Sequence, residues 1–531
     1  MSKFLILSEG GDGVGLARRL SDEGHEAKLW IRDPAIESRG QGIVEHAKWH
    51  SLGQIVISDC TGFGALMDKF RDEGVRTFGG SSFADSLESD RSLAKDIMEG
   101  AEIETPTSKS VSSWEEAAEA IEEIGKLSEK IVLKPEGASS GNIPSFVASN
   151  VEEALKTLEQ FKREHPADKV ELTIQEFVEG IAVSTEGWFN GHDWVSGMFN
   201  HTIESKHFLD GDLGPSGGCT GNLVWPCDSE DPLVKQTLTK LTEVLQEHVY
   251  IGPIDINCIV NEDGIYGLEF TPRFGYDAFP TLLHSLCDFD FGSFVDSLIC
   301  GGGPDFHLVQ AFGAGVRLSL PPWPSEKYNA DENVPLEGFD EDSWKYFYPY
   351  GVKAHNGDIV STGEAGILGV MNYEGLSIGQ ALACVYYQIA KLRIPNVQYR
   401  TDFRECFLQD FRKLRNLLSD EREQGWIGVD LDGTLATYSS WSENIGSPIP
   451  NMVKRVKRWV YEGKEVRVFT ARGSIGSRLE KNEQLMKVHD WIEDNIGEPL
   501  EVTDRKDPEL IRLYDDRVVQ VEANEGVLVA N

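Results

Sequence analysis

The segment Gly428-Val429-Asp430-Leu431-Asp432-Gly433-Thr434-Leu435 restricts the folding of its neighbourhood more tightly than any other stretch of this chain. Trp426–Asp430 is apolar up to its last residue and reads as a buried strand that opens an α/β unit. Two carboxylates close the strand, spaced so that the first points at a metal ion and the second lies across from it. A glycine and a threonine then turn the chain. A second strand, Val466-Arg467-Val468-Phe469, ends on the hydroxyl of Thr470. Lys506 follows within Thr503–Asp507, and Leu513-Tyr514-Asp515-Asp516-Arg517 closes the set.

The N-terminus repeats the α/β theme. Phe4–Leu7 reads as a strand, Glu9–Gly15 as a glycine-rich turn, Leu16–Glu23 as a helix and Ala27–Ile31 as a second strand. The turn lacks GxGxxG spacing, so a tight strand-to-helix connection is its simplest reading. Helices are expected at Ser113–Lys126, Val151–Glu164, Pro232–His248 and Ser377–Leu392. Strands are expected at Lys130–Lys134, Glu171–Phe177, Val183–Phe189, Ile254–Val260 and Ile265–Phe270. Pro321–Asp342 reads as a long surface loop, and the charged stretch Phe403–Gln424 as a helical linker. At 531 residues the chain exceeds one hydrophobic core.

Composition excludes several classes. No apolar run is long enough to span a bilayer and no signal-peptide pattern opens the chain, so a cytoplasmic protein without membrane contact is expected. Eight cysteines without a CxxC pair point to reduced thiols. A formal charge of −38 argues against nonspecific nucleic-acid binding. Small anionic substrates remain compatible with it wherever Lys, Arg and Mg²⁺ cluster locally.

Between the two α/β units lie pieces of a nucleotide cleft. Leu87–Asp96 carries Lys95 on a helix, and Ile131–Lys134 ends a strand on Lys134; together they supply two cations for a triphosphate. Glu136 and Ala138-Ser139-Ser140-Gly141 follow as a loop able to close over phosphates. Glu176, Phe177, Val178 and Glu179 form a hinge whose backbone can pair with an adenine edge. Glu269, Thr271 and Arg273 alternate along one strand and share a face. Glu269 and Thr271, with Asn257 on the preceding strand beside Asp255, are the expected metal ligands, and Arg273 the cation for the γ-phosphate.

In order and spacing these segments resemble glycinamide ribonucleotide synthetase (phosphoribosylamine–glycine ligase) across about residues 1–415. The likeness includes Leu87–Asp96, Ile131–Lys134, Gly214-Pro215 with Gly217, Gly218 and Gly221, Glu269–Gly275, and an R-x-D ending at Arg400 and Asp402. It implies an ATP-grasp ligase with a pre-ATP-grasp α/β domain (1–82), an α+β ATP-grasp core (83–304) and a small C-terminal ligase domain (305–403), before a linker at 404–424. It implies ATP and Mg²⁺ (or Mn²⁺) as cofactors, Gly214 and Pro215 among the cofactor-binding residues, and amide formation through an acyl phosphate. Small molecules (ATP, an amino acid and an amine or nucleotide-like acceptor) are the implied partners.

Residues 425–531 resemble a Rossmannoid phosphatase of the HAD superfamily. The resemblance makes Asp430 the nucleophile, Asp432 the general acid and base, and Thr470 and Lys506 the groups that neutralise the phosphoryl oxygens. Asp430, Asp432, Asp515 and Asp516 would surround Mg²⁺. The connection after the first strand is short and carries Tyr438 and Trp441, which leaves little room for a large cap.

This chain departs from the ligase family at the loops that hold phosphoribosylamine. Gly10-Gly11-Asp12-Gly13-Val14 stands for Gly-Gly-Arg-Glu-His, and Ser58–Gly62 replaces a Gly-Pro-Glu loop. Asn142 replaces a phosphate-loop lysine and Thr271 an asparagine. Ala182 replaces a ribose-binding acid, for which Glu179 and Glu186 are candidate substitutes. The expectation is a bifunctional ligase and phosphatase. The alternatives are a ligase for another amine, such as a modified nucleotide, or an ATP-binding module that regulates the phosphatase.

Overall fold

The computed structural model describes residues 2–48, 54–135, 145–164, 170–302, 306–325, 328–418, 425–442, 444–461, 464–473 and 478–518. The chain forms two compact units, Met1–Glu374 with Leu382–Phe407, and Gly375–Ala381 with Leu408–Asn531.

The first unit opens with five parallel strands, β1 (Lys3–Ser8), β2 (Glu26–Ile31), β3 (Glu45–His46), β4 (Ile55–Ser58) and β5 (Arg76–Phe78), in the order β3-β2-β1-β4-β5. β1 is apolar on both faces because both are covered. Phe4 and Ile6 join the main core of the unit, while Leu5 and Leu7 pack with Val56, Phe63 and Met67 on the other side. Helix α1 (Val14–Asp22) follows β1, α2 (Gly64–Asp72) follows β4, and α3 (Ser82–Ser89) and α4 (Arg91–Gly100) follow β5.

Four antiparallel strands come next, β6 (Ser108–Val111), β7 (Ile131–Pro135), β8 (Phe146–Ala148) and β9 (Leu172–Glu176), in the order β6-β9-β7-β8. Trp114, Ile121, Leu158 and Phe161 on helices Trp114–Ile124 and Val151–Glu164 bury this sheet's apolar face.

The largest sheet takes β10 (Ile181–Asn190), β11 (Trp194–Leu209), β12 (Leu213–Cys227), β13 (Ile251–Val260), β14 (Ile265–Thr271), β15 (Phe312–Ser319) and β16 (Phe347–Pro349). A separate hairpin, β17 (Val352–His355) and β18 (Asp358–Ser361), precedes its last member, β19 (Ile367–Gly375). The order is β14-β13-β10-β11-β12-β15-β19-β16. A boundary at residues 304/305 would therefore divide one sheet. Phe4, Trp188, Phe279 and Tyr348, from all three expected ligase domains, share a single core. The helix expected at Pro232–His248 breaks into Pro232–Gln236, a 3-10 turn Leu238–Leu241 and Thr242–Glu247.

The second unit holds parallel strands β20 (Trp426–Asp430), β21 (Glu465–Phe469), β22 (Glu501–Thr503) and β23 (Leu510–Tyr514), ordered β22-β21-β20-β23. Val429, Leu431 and Val468 meet Val456 and Trp459 of helix Pro450–Tyr461 and Val488 and Ile492 of helix Arg478–Ile496. The expected linker forms the helix Phe403–Leu418, whose residues from Leu408 onward belong to this unit; residues 419–424 lie outside the described residues. Among the described residues no helix is long and apolar enough to cross a membrane.

Candidate functional site

In the first unit, a cavity of about 80 Å³ lies between α3 and α4, the β6–β9 sheet and β14. Lys95, Lys134, Gln175 and Glu269 line it. Asp90 caps α4 by accepting the Leu93 N–H at 3.0 Å, which fixes the first turn and the direction in which Lys95 projects. The Lys95 ammonium donates to Ser108 Oγ at 3.0 Å and pairs with Glu99 at 3.5 Å. Lys134 lies opposite Thr173 of β9. Glu269 is exposed on β14 across from Asn257 on β13.

Two lysines and a carboxylate converging in one recess suit a polyphosphate with a divalent cation. Glu136 and the phosphate loop Ala138–Gly141, with Asn142, lie outside the described residues.

Several expected ligands are engaged elsewhere. Arg273 is not a free phosphate cation: its Nη2 donates to Glu88 at 2.8 Å, its Nη1 to the Phe274 carbonyl at 2.9 Å, and its guanidinium lies 4.0 Å from the centre of the Tyr276 ring. Glu88 at the end of α3 provides the nearest carboxylate, and that contact decides its place. Asn257 Nδ2 donates to Thr271 Oγ1 at 3.3 Å, so these two neighbours of Glu269 are bonded to each other. At the hinge, the Glu176 carboxylate accepts the Thr107 N–H at 2.6 Å, and the Phe177 N–H donates to the Lys130 carbonyl at 3.2 Å. Val178 is half-buried and Glu179 exposed, its carbonyl accepting from Asn261 Nδ2 at 2.9 Å.

Gly214 and Pro215 sit at the exposed end of the β11–β12 hairpin, outside the lining of the cavity. Glu186 cannot replace a hinge acid. It lies six residues along β10 from Gly180, roughly 20 Å away at strand rise. There it is buried and accepts from Trp188 Nε1 at 3.0 Å and Asn200 Nδ2 at 2.9 Å. Burial raises its carboxyl to about 7. Asp255 faces it directly across the strands, and burial followed by the Glu186 charge raises Asp255 well above the carboxylate range. Ser184-x-Glu186 and Asp255-x-Asn257 were the available signals: polar residues two apart inside otherwise apolar strands.

In the second unit, carboxylate oxygens of Asp430, Asp515 and Asp516 all lie within 4.8 Å of one another. Burial raises Asp430 to about 7, with Asp515, Asp516 and then Asp432 adding to the effect. Gly433 permits the approach of β23 to this loop. Its φ is +108°, and an added Cβ would fall 2.7 Å from the Asp516 carboxylate. The Asp516 N–H donates to Thr434 Oγ1 at 3.0 Å. An all-oxygen acidic set is the chemistry that Mg²⁺ prefers.

A cleft of about 390 Å³ adjoins the three carboxylates, lined by Thr434, Asn451, Arg455 and Tyr514 among others. Thr470 is buried at the end of β21 and accepts the Arg472 N–H at 3.3 Å. Asp432 does not join the metal cluster, because Arg472 holds both of its oxygens. Lys506 is exposed in the loop after β22, and no contact with Asp430 is found among the described residues. Trp441 is exposed, with the Arg472 guanidinium 5.1 Å from its ring centre.

A cleft between a four-stranded antiparallel sheet and a long eight-stranded sheet, with cations on one wall and a carboxylate on the other, defines the first unit as an ATP-grasp fold. Residues 89–278 match the family described as phosphoribosylglycinamide synthetase, ATP-grasp (A) domain. The phosphoribosylamine–glycine ligase of Halalkalibacterium halodurans is 25% identical over 374 residues, 68% of this chain and 84% of that protein. Its counterpart from Streptococcus pyogenes serotype M1 is 26% identical over 414 residues, 76% of this chain and 95% of that protein. The crystal structure of the Thermotoga maritima phosphoribosylamine–glycine ligase superposes with a TM-score of 0.59 at 19% identity, covering 75% of this chain and 99% of that one. ATP with Mg²⁺ or Mn²⁺ is the cofactor pair of the ATP-grasp class.

Proposed function

We propose that this protein is bifunctional: an ATP-dependent carboxylate–amine ligase similar to phosphoribosylamine–glycine ligase, joined to a Mg²⁺-dependent phosphatase. The convergence of Lys95, Lys134 and Glu269 on one cavity carries the ligase reading. In that cavity Lys95 and Lys134 hold the phosphates, and Glu269 is placed to hold the divalent cation. Bound ATP supplies the phosphoryl group that activates the carboxylate for attack by the amine.

The cluster of Asp430, Asp515 and Asp516 carries the phosphatase reading. Asp430 is the nucleophile: it ends β20 within 4.8 Å of Asp515 and Asp516, which line the 390 Å³ cleft, and would attack a phosphoryl group there. Thr470 offers a hydroxyl at the end of the neighbouring strand, and Asp432 is the candidate proton carrier. Asp515 and Asp516 would hold Mg²⁺, which supplies charge neutralisation at the phosphoryl oxygens.

A Lys134→Ala variant should lose carboxylate- and amine-dependent ADP release while still hydrolysing p-nitrophenyl phosphate, and Asp430→Asn should do the reverse. The second reading, a nucleotide-binding module that regulates the phosphatase, draws on Arg273 being tied to Glu88. It predicts ATP binding without turnover, together with a phosphatase rate altered by ATP in the wild type and not in Lys134→Ala.

A further inference from the structure

The cleft of about 390 Å³ in the second unit falls within the range of roughly 300–1,000 Å³ that takes a whole small molecule. It has room for the body of a substrate as well as for a phosphoryl group. Its lining carries charges of both signs. Asp515 and Asp516 come from the end of β23, and Asn451 and Arg455 from helix Pro450–Tyr461. Four residues apart, Asn451 and Arg455 share one face of that helix.

The second unit is rich in carboxylates, and its other arginines find them. Arg467 pairs with Glu465, Glu501 and Asp507, Arg472 with Asp432, and Arg412 with Glu498. Arg455 is exposed on the cleft, and among the described residues its guanidinium has neither an ion pair nor a hydrogen bond. It lies instead 6.0 Å from the centre of the Tyr514 ring, a cation–π distance. Tyr514 packs in turn on Trp459, with ring centres 4.8 Å apart, and Trp459 belongs to the core. This support holds the guanidinium at the cleft without engaging any of its five N–H donors. The Asn451 side chain likewise has no hydrogen-bond partner among the described residues. The first turn of the helix also lines the cleft and adds positive potential to that supplied by Arg455.

We propose that the phosphatase substrate is a phosphomonoester with a second anionic group, a carboxylate or another phosphate, and that Arg455 binds this second group together with Asn451. The inference rests on the phosphatase reading and names the substrate class of that site. The phosphoryl group to be removed would sit at Asp430, and the rest of the molecule would extend through the cleft to the helix. There the planar guanidinium offers two parallel N–H donors to an oxyanion, and the Asn451 amide a further one. A neutral substituent would leave the guanidinium in water, as it is in the free protein, and gain nothing from its charge. The formal charge of −38 makes the expected selectivity distinctive, because the general field of this protein repels the more anionic substrate.

The test is phosphate release by the full-length protein with Mg²⁺, at about 0.15 M salt, where the general surface acidity is screened. Two pairs of compounds are compared by kcat/KM. Glucose 6-phosphate against 6-phosphogluconate adds a carboxylate, and fructose 6-phosphate against fructose 1,6-bisphosphate adds a phosphate. In at least one pair the more anionic member should be preferred at least tenfold, and the pair that shows the preference identifies the anion. In Arg455→Ala that ratio should fall at least tenfold, through a higher KM for the anionic member. Arg455→Lys should give an intermediate ratio, since an ammonium keeps the charge and loses the fork.

The proposal is overturned if neither pair shows the preference in the wild type, a result that depends on no variant. It is overturned equally if Arg455→Ala keeps the wild-type ratio. Failure of the phosphatase reading looks different: no phosphate is released from any of these compounds or from p-nitrophenyl phosphate, and the inference falls with it.

Discussion

Arg472 holds Asp432 through two parallel hydrogen bonds, Nε to Oδ2 at 2.7 Å and Nη2 to Oδ1 at 2.6 Å, while its remaining nitrogen donates to the Ser442 carbonyl at 2.9 Å. Arg472 is 1% exposed, so this fork fastens the loop after β20 to the end of β21 from within the second unit. Arg472→Ala would leave Asp432 facing a hole where a cation stood. The expected cost is roughly 3–5 kcal/mol, the usual range for removing one partner of a buried pair. Arg472→Lys should recover only part of it, because an ammonium cannot span both oxygens. Urea unfolding of the second unit measures both, and wild-type stability in Arg472→Ala would refute the role.

The three-carboxylate cluster yields a metal prediction. Asp430, Asp515 and Asp516 repel one another when ionised, and a divalent cation removes that repulsion. Hydrolysis of p-nitrophenyl phosphate should disappear in EDTA and return with Mg²⁺. Asp516→Asn should require at least tenfold more Mg²⁺ for half-maximal rate. A rate unaffected by EDTA would remove the metal from the proposed chemistry.

Local sequence patterns made much of this architecture readable, and long-range pairing hid the rest. β1, α1, β2 and the helix Val151–Glu164 follow from apolar runs and helical spacing. The hairpin β11–β12 did not stand out, because Gly214, Pro215, Gly217 and Gly218 read as loop while pairing with the far end of β11 makes them strand, and Gly211 lies in the turn between. Lys95, Lys134 and Glu269 could be chosen by residue type and order, and they do share a cavity. The partner of Arg273 could not be read, because Glu88 is distant in sequence and an ion pair of that separation leaves no local pattern. Arg472 hid similarly, as a side chain two residues past the hydroxyl of Thr470.

Arg400 provides a test of the hairpin. It is 2% exposed and donates to Ser205 Oγ at 2.6 Å, Asp212 at 2.7 Å and both oxygens of Asp402 at 2.9 and 2.7 Å. Asp402 also accepts the Gly211 N–H at 2.6 Å, so the pair clasps the hairpin tip from the strand side and the turn side. Arg400→Ala should raise amide hydrogen exchange across residues 205–218 while leaving β1 and β4 protected. Uniform exchange rates in variant and wild type would mean that the tip holds without the clasp.

Glu186 sets a pH dependence for the first unit. Its folded-state carboxyl sits at about 7, above an ordinary glutamate at 4.5, chiefly because it is buried. The folded protein therefore holds a proton that the unfolded chain has already released between those two values. Glu186 contributes stability fully present below pH 4.5 and lost as pH rises through about 7. At 1.36 kcal/mol per unit, the loss amounts to roughly 3 kcal/mol.

Glu186→Gln keeps the acceptor for Trp188 and Asn200 but carries no proton to lose. Unfolding followed by tryptophan fluorescence should show the variant gaining on the wild type from pH 5 to pH 8. A difference that stays constant over that range would mean that Glu186 remains in one protonation state throughout. The raised carboxyl would then have no part in the stability of this fold.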